Sequence, residues 1–352
     1  MIYRVKGGNN MRTLAPLLLF VSILSLSQGN WEILSSKRER ICLNGRWEFM
    51  PAKDENSLSQ SSWGIIMVPG TWNGNWRLPG LITKGEGKSW QDVDLSTLGR
   101  AWYRKNVQIP ENWKGKAILL TLGRVSSDAI VFANGVECGR IEWPYGSVDI
   151  TKAVEPGKKA EIMILVASGT NEMEASELLN LKNPQYSTNS QLETKGLIGE
   201  VFLECRPMGA HIDDIFIQTS VREKSLTIEI AISDIKIKEE VEIIARLLNE
   251  EGKEEKRFQA RGKISGNPSE RLKVSWKWDN PRLWDLRQPN LYKLLLQVKG
   301  KGIDDEWGES FGFREFWIDG KKFFLNGKEI RLRPDEAGDV WNSCSGVTEV
   351  IE

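Results

Sequence analysis

The stretch from Asp128 to Cys138, DAIVFANGVEC, decides how this chain folds. Ile130, Val131, Phe132 and Ala133 form a strand-prone run, and Val136, Glu137 and Cys138 open another. Between them stands Asn134-Gly135. A type I′ turn needs positive φ at both central positions, which asparagine tolerates and glycine adopts freely, so the pair predicts an antiparallel hairpin. Working outward, Lys116 to Leu122 (KAILLTL) and Glu161 to Ala167 (EIMILVA) are runs of strand length rich in Ile, Val and Leu. Only one window looks helical, Asn171 to Leu181 (NEMEASELLNL). Many short strands with tight turns predict a sandwich of two antiparallel sheets.

A second β segment begins after Pro207. Ile215 to Val221, Ser225 to Ser233, Val241 to Leu248, Lys273 to Trp278 and Leu291 to Val298 read as strands. Leu226, Ile228, Ile230 and Ile232 alternate strictly, which requires one buried face and one wet face. The spacing predicts an immunoglobulin-like sandwich. Glu250 to Arg257 (EEGKEEKR) reads as a solvated hairpin tip turning at Glu251-Gly252. Lys322 to Arg333 (KFFLNGKEIRLR) is another Asn-Gly hairpin, and Pro334 to Glu352 is polar without a strand or helix pattern.

Composition narrows the functional classes. Lys+Arg and Asp+Glu balance at 48 each, so no basic footprint for nucleic acid or anionic lipid exists. A single histidine, His211, excludes a multi-histidine metal centre. Tryptophan is abundant at 15 residues, and its flat apolar face with one N–H suits both cores and half-wet surfaces. Trp47, Trp102 and Trp113 stand in or beside strand-like sequence and read as core. Leu14 to Leu26 is an uncharged apolar run preceded by Arg4, Lys6 and Arg12 and followed by Ser27 and Gly29. That is the layout of a secretory signal, and the run is short of the ~20 residues that span a bilayer. Export to the periplasm or outside the cell is therefore expected, with no membrane span in the mature chain. Cys42, Cys138, Cys205 and Cys344 have irregular spacing, compatible with disulfides after export or with isolated buried thiols, and unlike a zinc motif.

Several segments, taken in order, resemble the opening of glycoside hydrolase family 2, the family of β-galactosidases, β-glucuronidases and β-mannosidases. They begin with Leu43-Asn44-Gly45-Arg46-Trp47-Glu48-Phe49, Val68-Pro69-Gly70-Thr71-Trp72-Asn73 and Ala101-Trp102-Tyr103-Arg104-Lys105. Then come the hairpin Ala133-Asn134-Gly135 with its return at Asp149-Ile150-Thr151, and Gly196-Leu197-Ile198-Gly199-Glu200-Val201. Trp284-Asp285 with Pro289-Asn290-Leu291-Tyr292, then Phe311-Gly312-Phe313-Arg314-Glu315 leading to Phe324-Leu325-Asn326-Gly327-Lys328, complete the series. The resemblance implies an all-β chain: a jelly-roll, galactose-binding-like β-sandwich over 30–207, then an immunoglobulin-like β-sandwich over 208–320. Residues 1–29 would be a signal peptide, and 321–352 the first hairpin of a missing (β/α)8 barrel with a disordered tail.

Departures from the family pattern carry equal weight. The turn Gly157-Lys158-Lys159-Ala160 lacks the usual asparagine, and Arg333 is followed by Pro334-Asp335-Glu336-Ala337 with no histidine. In the family, an acid/base and a nucleophile glutamate stand ~5–5.5 Å apart for retaining hydrolysis. Both lie far into a barrel of at least ~200 residues, yet 32 residues follow Gly320. The expectation is a non-catalytic portion of a retaining β-glycosidase, needing no cofactor. Glu86, Asp92, Asp94, Glu193 and Glu200 are the carboxylates that could be tested for catalysis, but nothing in the sequence holds two of them face to face.

Sugar contact is the remaining question. In the loop PGTWNGNWRLPG, Trp72 and Trp76 offer ring faces for a pyranose, and Asn73 and Asn75 offer amides for its hydroxyls. The alternative for Trp72 is packing under the loop as a lid on the core. The loop Asn189 to Lys195 approaches the active site in some relatives but lacks the aspartate that β-galactosidases place there, so it carries no assigned role. Carbohydrate is the expected ligand. The rival readings are a stand-alone carbohydrate-binding or surface-interaction protein, or a chain whose protein partner covers the surface facing the missing barrel.

Overall fold

The computed structural model describes residue 35 and residues 37–60, 63–73, 82–90, 93–188 and 192–332. The expected signal segment, the polar tail and Cys344 lie outside them. The predicted hairpin forms: Asp128–Ala133 pairs with Val136–Ile141, and Asn134 and Gly135 adopt φ of 49° and 78°. These strands belong to a seven-stranded sheet ordered Ile82–Thr83, Gly64–Val68, Gly45–Pro51, Arg100–Gln108, Lys159–Ala167, Asp128–Ala133, Val136–Ile141. A four-stranded sheet of Glu39–Cys42, Val201–Pro207, Lys116–Leu122 and Gly146–Asp149 packs over it. Leu120, Leu122 and Leu203 from the smaller sheet share one apolar core with Phe49, Val131, Ile162 and Ile164 from the larger. The tryptophans expected inside are inside: Trp47, Trp102 and Trp113 are nearly inaccessible. Truncating such a ring costs about 3–5 kcal/mol, so these positions carry much of the sandwich's stability.

In the second sandwich, His211–Ser220, Ser225–Ser233 and Ser269–Lys277 form one sheet, and Glu254–Ile264, Glu239–Leu248, Tyr292–Lys299 and Asp304–Phe311 form the other. Leu226, Ile228, Ile230 and Ile232 are all buried, as their alternation requires. The turn at 249–253 also forms as expected, with Gly252 at φ 81°. The charged run does not end there, however. Glu254–Ile264 continues as an edge strand paired only with Glu239–Leu248 among the described strands, and its first four residues are exposed. At a sheet edge those charges need no buried face, so the pattern lacked alternation although the backbone is fully extended.

A third sheet of Phe316–Asp319, Lys322–Leu325 and Lys328–Ile330 contains the second Asn-Gly hairpin, with Asn326 and Gly327 at φ 52° and 86°. The helical window narrows to Glu172–Leu179, capped by Asn171, whose side chain accepts from the Glu174 N–H. No helix among the described residues is long and apolar enough to cross a membrane. Among the described residues Cys42, Cys138 and Cys205 are free thiols, and only Cys205 is buried as the isolated-thiol reading expects; Cys138 is half-buried and Cys42 exposed.

Glu39 ties the small sheet to the 310 turn Glu111–Trp113 by accepting the Trp113 indole N–H at 2.9 Å. That bond above all, with Asn112 and Lys116 adding to it against partial desolvation, holds the Glu39 carboxyl below its ordinary 4.5. A carboxyl with a depressed folded pKa stabilises the fold above the unfolded value and loses that contribution as pH falls through the folded one. Glu39→Gln should therefore flatten the fall in urea midpoint below about pH 4.5 relative to the parent chain. Parallel pH profiles would remove Glu39 from this role.

Candidate functional site

The loop expected to touch sugar runs alongside the segment 192–197. Gly70 N donates to Leu197 O at 2.9 Å, and Trp72 N donates to Lys195 O at 3.0 Å. Thr71 closes the pairing, its hydroxyl donating to Lys195 O and accepting from Lys195 N. Trp72 is 1 % exposed, with its ring centroid 5.8 Å from Phe49 and 6.2 Å from Tyr103. Its indole N–H donates to Leu98 O at 3.1 Å. No ring face is left for a pyranose, so the sugar-stacking expectation for Trp72 gives way to core packing. Asn73 is likewise engaged: its amide donates to the carbonyls of Leu192 and Glu193, both at 3.1 Å, and its oxygen accepts from Thr71. Asn75 and Trp76 lie outside the described residues, as does Asp92.

The tight approach of the two segments depends on Gly196, at φ +124°. A Cβ there would stand 2.6 Å from the Tyr103 hydroxyl and 3.1 Å from the Trp72 ring. This is the physical reason for glycine at the start of Gly196-Leu197-Ile198-Gly199. Next to it Lys195 is buried, its ammonium donating to Ser96 O at 2.8 Å. Burial lowers its pKa, and the charges of Glu174 and Asp94 oppose that shift.

The described carboxylates considered for catalysis are exposed surface groups. Asp94 accepts from the Ser96 N–H and hydroxyl in a local turn, bonds that hold its carboxyl low. Glu200 accepts from the Asn44 amide at 3.2 Å. Glu86 and Glu193 are exposed. General-acid work at neutral pH needs a carboxyl raised by burial, and these positions do not supply that environment. Among the described residues no group of three or more His, Cys, Asp or Glu is placed to hold a metal ion.

Beyond the segment 192–194 the surface opens into a cleft of about 590 Å³. Its floor is polar and buried: Ser126, Ser127 and Asp128 are each less than a tenth exposed. Ser126 donates to Thr194 O at 2.7 Å, and Ser127 accepts from Gly169 N at 3.0 Å, so the floor is fixed by its own hydrogen bonds. The Asp128 Oδ2 accepts from both Nε and NH2 of Arg140, an ion pair whose carboxylate side chain is 8 % exposed. Oδ1 of the same group accepts no hydrogen bond from any described residue. One wall is the cap of the helix Glu172–Leu179, where Glu174 accepts from Thr170 N and Oγ1, both at 2.6 Å. The rim is Trp143, 62 % exposed, in the turn Trp143-Pro144-Tyr145-Gly146, where Tyr145 is also exposed. Sequence reasoning missed this site. Its one local signal was two aromatics around a proline between strands, a composition much like that of the PGTWN loop.

The fold is a pair of packed β-sandwiches with a small third sheet, and comparison with known proteins specifies what it is similar to. Residues 210–314 match the family described as "Glycosyl hydrolases family 2". The chain is 27% identical over 312 residues to a beta-glucuronidase of Paenibacillus borealis, covering 84% of this chain and 49% of the relative. A beta-galactosidase of Bacteroides ovatus is 23% identical, with 85% of this chain and 34% of the relative covered. Among solved structures, a beta-D-glucuronidase from Dictyoglomus thermophilum superposes with a TM-score of 0.58 at 22% identity, covering 84% of this chain and 47% of that one. A family 2 member from Bacteroides cellulosilyticus gives 0.61 at 18% identity, covering 84% and 39%. The chain is a relative of the family 2 glycoside hydrolases, and the likeness extends over both sandwiches. It spans about half or less of the length of the curated relatives it matches.

Proposed function

We propose that this chain is the non-catalytic N-terminal portion of an exported family 2 glycoside hydrolase that acts on carbohydrate. Residues 30–207 form its jelly-roll, galactose-binding-like domain, residues 208–320 its immunoglobulin-like domain, and 321–352 begin with the first hairpin of the catalytic barrel. The parent reaction is retaining hydrolysis of a β-linked O-glycoside.

The observation that carries this reading is the asymmetry of coverage, 84% of this chain against 49% of the Paenibacillus borealis enzyme. The small third sheet supports it. Phe316 and Ile318, two apart on its first strand, leave 49% and 62% of their surface exposed, apolar area suited to packing against a further domain. The purified chain is expected to hydrolyse aryl β-galactosides, β-glucuronides and β-mannosides no faster than buffer. Turnover above that background, copurifying with the chain through a second column, would overturn the non-catalytic reading.

A further inference from the structure

We propose that the cleft between Trp143 and Asp128 binds a neutral saccharide, one pyranose stacking on the indole and donating hydroxyl hydrogens to the carboxylate; this deepens the carbohydrate reading above and rests on it. Both recognition elements are present in the free chain. Trp143 is 62 % exposed at the rim of the cleft, leaving most of its apolar surface in solvent. A pyranose has one face rich in C–H bonds and a perimeter of hydroxyls, so it can cover the ring while its edge reaches a polar floor. The floor supplies the complementary group. Asp128 is buried and oriented by Arg140 through Oδ2, while Oδ1 has no donor among the described residues. A hydroxyl donating to an ionised carboxylate makes a short, charge-assisted bond, stronger than a neutral one.

Charge selects among sugars. Among the described residues Glu142 and Glu172 line the cleft against the guanidinium of Arg124, and Arg140 offsets Asp128, so an excess of carboxylate remains. A uronic acid would bring a further carboxylate into this acidic enclosure, whereas a neutral pyranose brings only donors and acceptors. The volume, about 590 Å³, falls within the range of small-ligand sites at about 300–1,000 Å³. Rigid side chains at the floor, already hydrogen-bonded, lower the ordering cost of binding.

The test is saturation-transfer NMR and tryptophan-fluorescence titration of the purified chain. The probes are the methyl β-pyranosides of glucose, galactose, mannose and xylose, with methyl β-glucuronide and methyl β-galacturonide as anionic counterparts. At least one neutral glycoside should bind, and both uronides should bind at least tenfold more weakly than it does. Trp143→Ala should weaken binding tenfold or more while leaving the urea midpoint unchanged, since the ring is at the surface; Trp143→Tyr should restore much of it. Asp128→Asn should weaken binding too, with circular dichroism used to confirm the fold. A uronide bound as tightly as that neutral glycoside, binding untouched by Trp143→Ala, or no binding of any probe by the folded chain would each overturn the proposal. None of those results touches the non-catalytic reading, which turnover of aryl glycosides alone would remove.

Discussion

Arg100→Leu is expected to destabilise the first sandwich by about 3–5 kcal/mol, read as a large drop in urea midpoint. Arg100 is fully buried, and its guanidinium donates to five backbone carbonyls. Ala52 O and Lys53 O lie on one side, at 2.6 and 2.7 Å. Leu178 O, Asn180 O and Asn183 O lie on the other, at 2.9, 2.8 and 2.7 Å. One planar fork therefore fastens the end of the strand Gly45–Pro51 to the C-terminal end of the helix Glu172–Leu179, whose last carbonyls have no helical partner. Burial pulls its pKa down to about 10, which leaves the group charged at neutral pH. Leucine would fill part of the volume and leave those carbonyls without their donor. Arg100→Lys should recover only part of the loss, because a single ammonium has three donors and no fork. A loss below about 1 kcal/mol for the leucine variant would mean that water replaces the guanidinium and the clamp is dispensable.

Asp305→Ala is expected to loosen the joint between the sandwiches, with a cost again of about 3–5 kcal/mol. Asp305 is fully buried on the strand Asp304–Phe311. It accepts from Arg38 Nε at 3.1 Å and NH2 at 2.6 Å, from Ile212 N at 2.8 Å and from Glu306 N at 2.8 Å. Arg38 precedes the first strand of the first sandwich, so the pair crosses from one sandwich to the other. It also donates to Ile212 O, and its guanidinium lies 4.7 Å from the Trp307 ring centroid. Removing the carboxylate leaves a nearly buried cation and a buried N–H without their acceptor. Calorimetry should show the unfolding of the two sandwiches separating in the variant more than in the parent chain, with faster proteolysis between Pro207 and His211. An unchanged thermogram and an unchanged cleavage rate would assign the coupling to other contacts.

Much of the fold was legible because its decisive features are local. Asn134-Gly135 and Asn326-Gly327 set hairpins wherever they are placed, since positive φ at both positions is a property of those residues. The alternation from Leu226 to Ile232 needs only one wet face. The edge strand Glu254–Ile264 was hidden by the same logic, because a strand with exposed charges on both faces has no period to read. Its extension is decided by pairing with Glu239–Leu248.

Trp72 marks where sequence reading of the site stops. An aromatic in a Pro/Gly loop has the composition of both a sugar platform and a core lid. The choice falls to packing because Gly196 lets the 192–197 segment close over the ring. The cleft at Trp143 was less legible still. Its parts lie near residues 124–128, 142–143, 169–172 and 192–194, and no short window contains more than one recognition element.

The sequence by itself determined that this is an all-β chain with family 2 motifs in order from Leu43 to Lys328, because turn chemistry and strand period are written residue by residue. Only the tertiary structure decided which aromatics face solvent and which carboxylate stands buried at a cleft floor. Burial and mutual approach are properties of segments far apart in the chain, and they exist only once the sheets have packed.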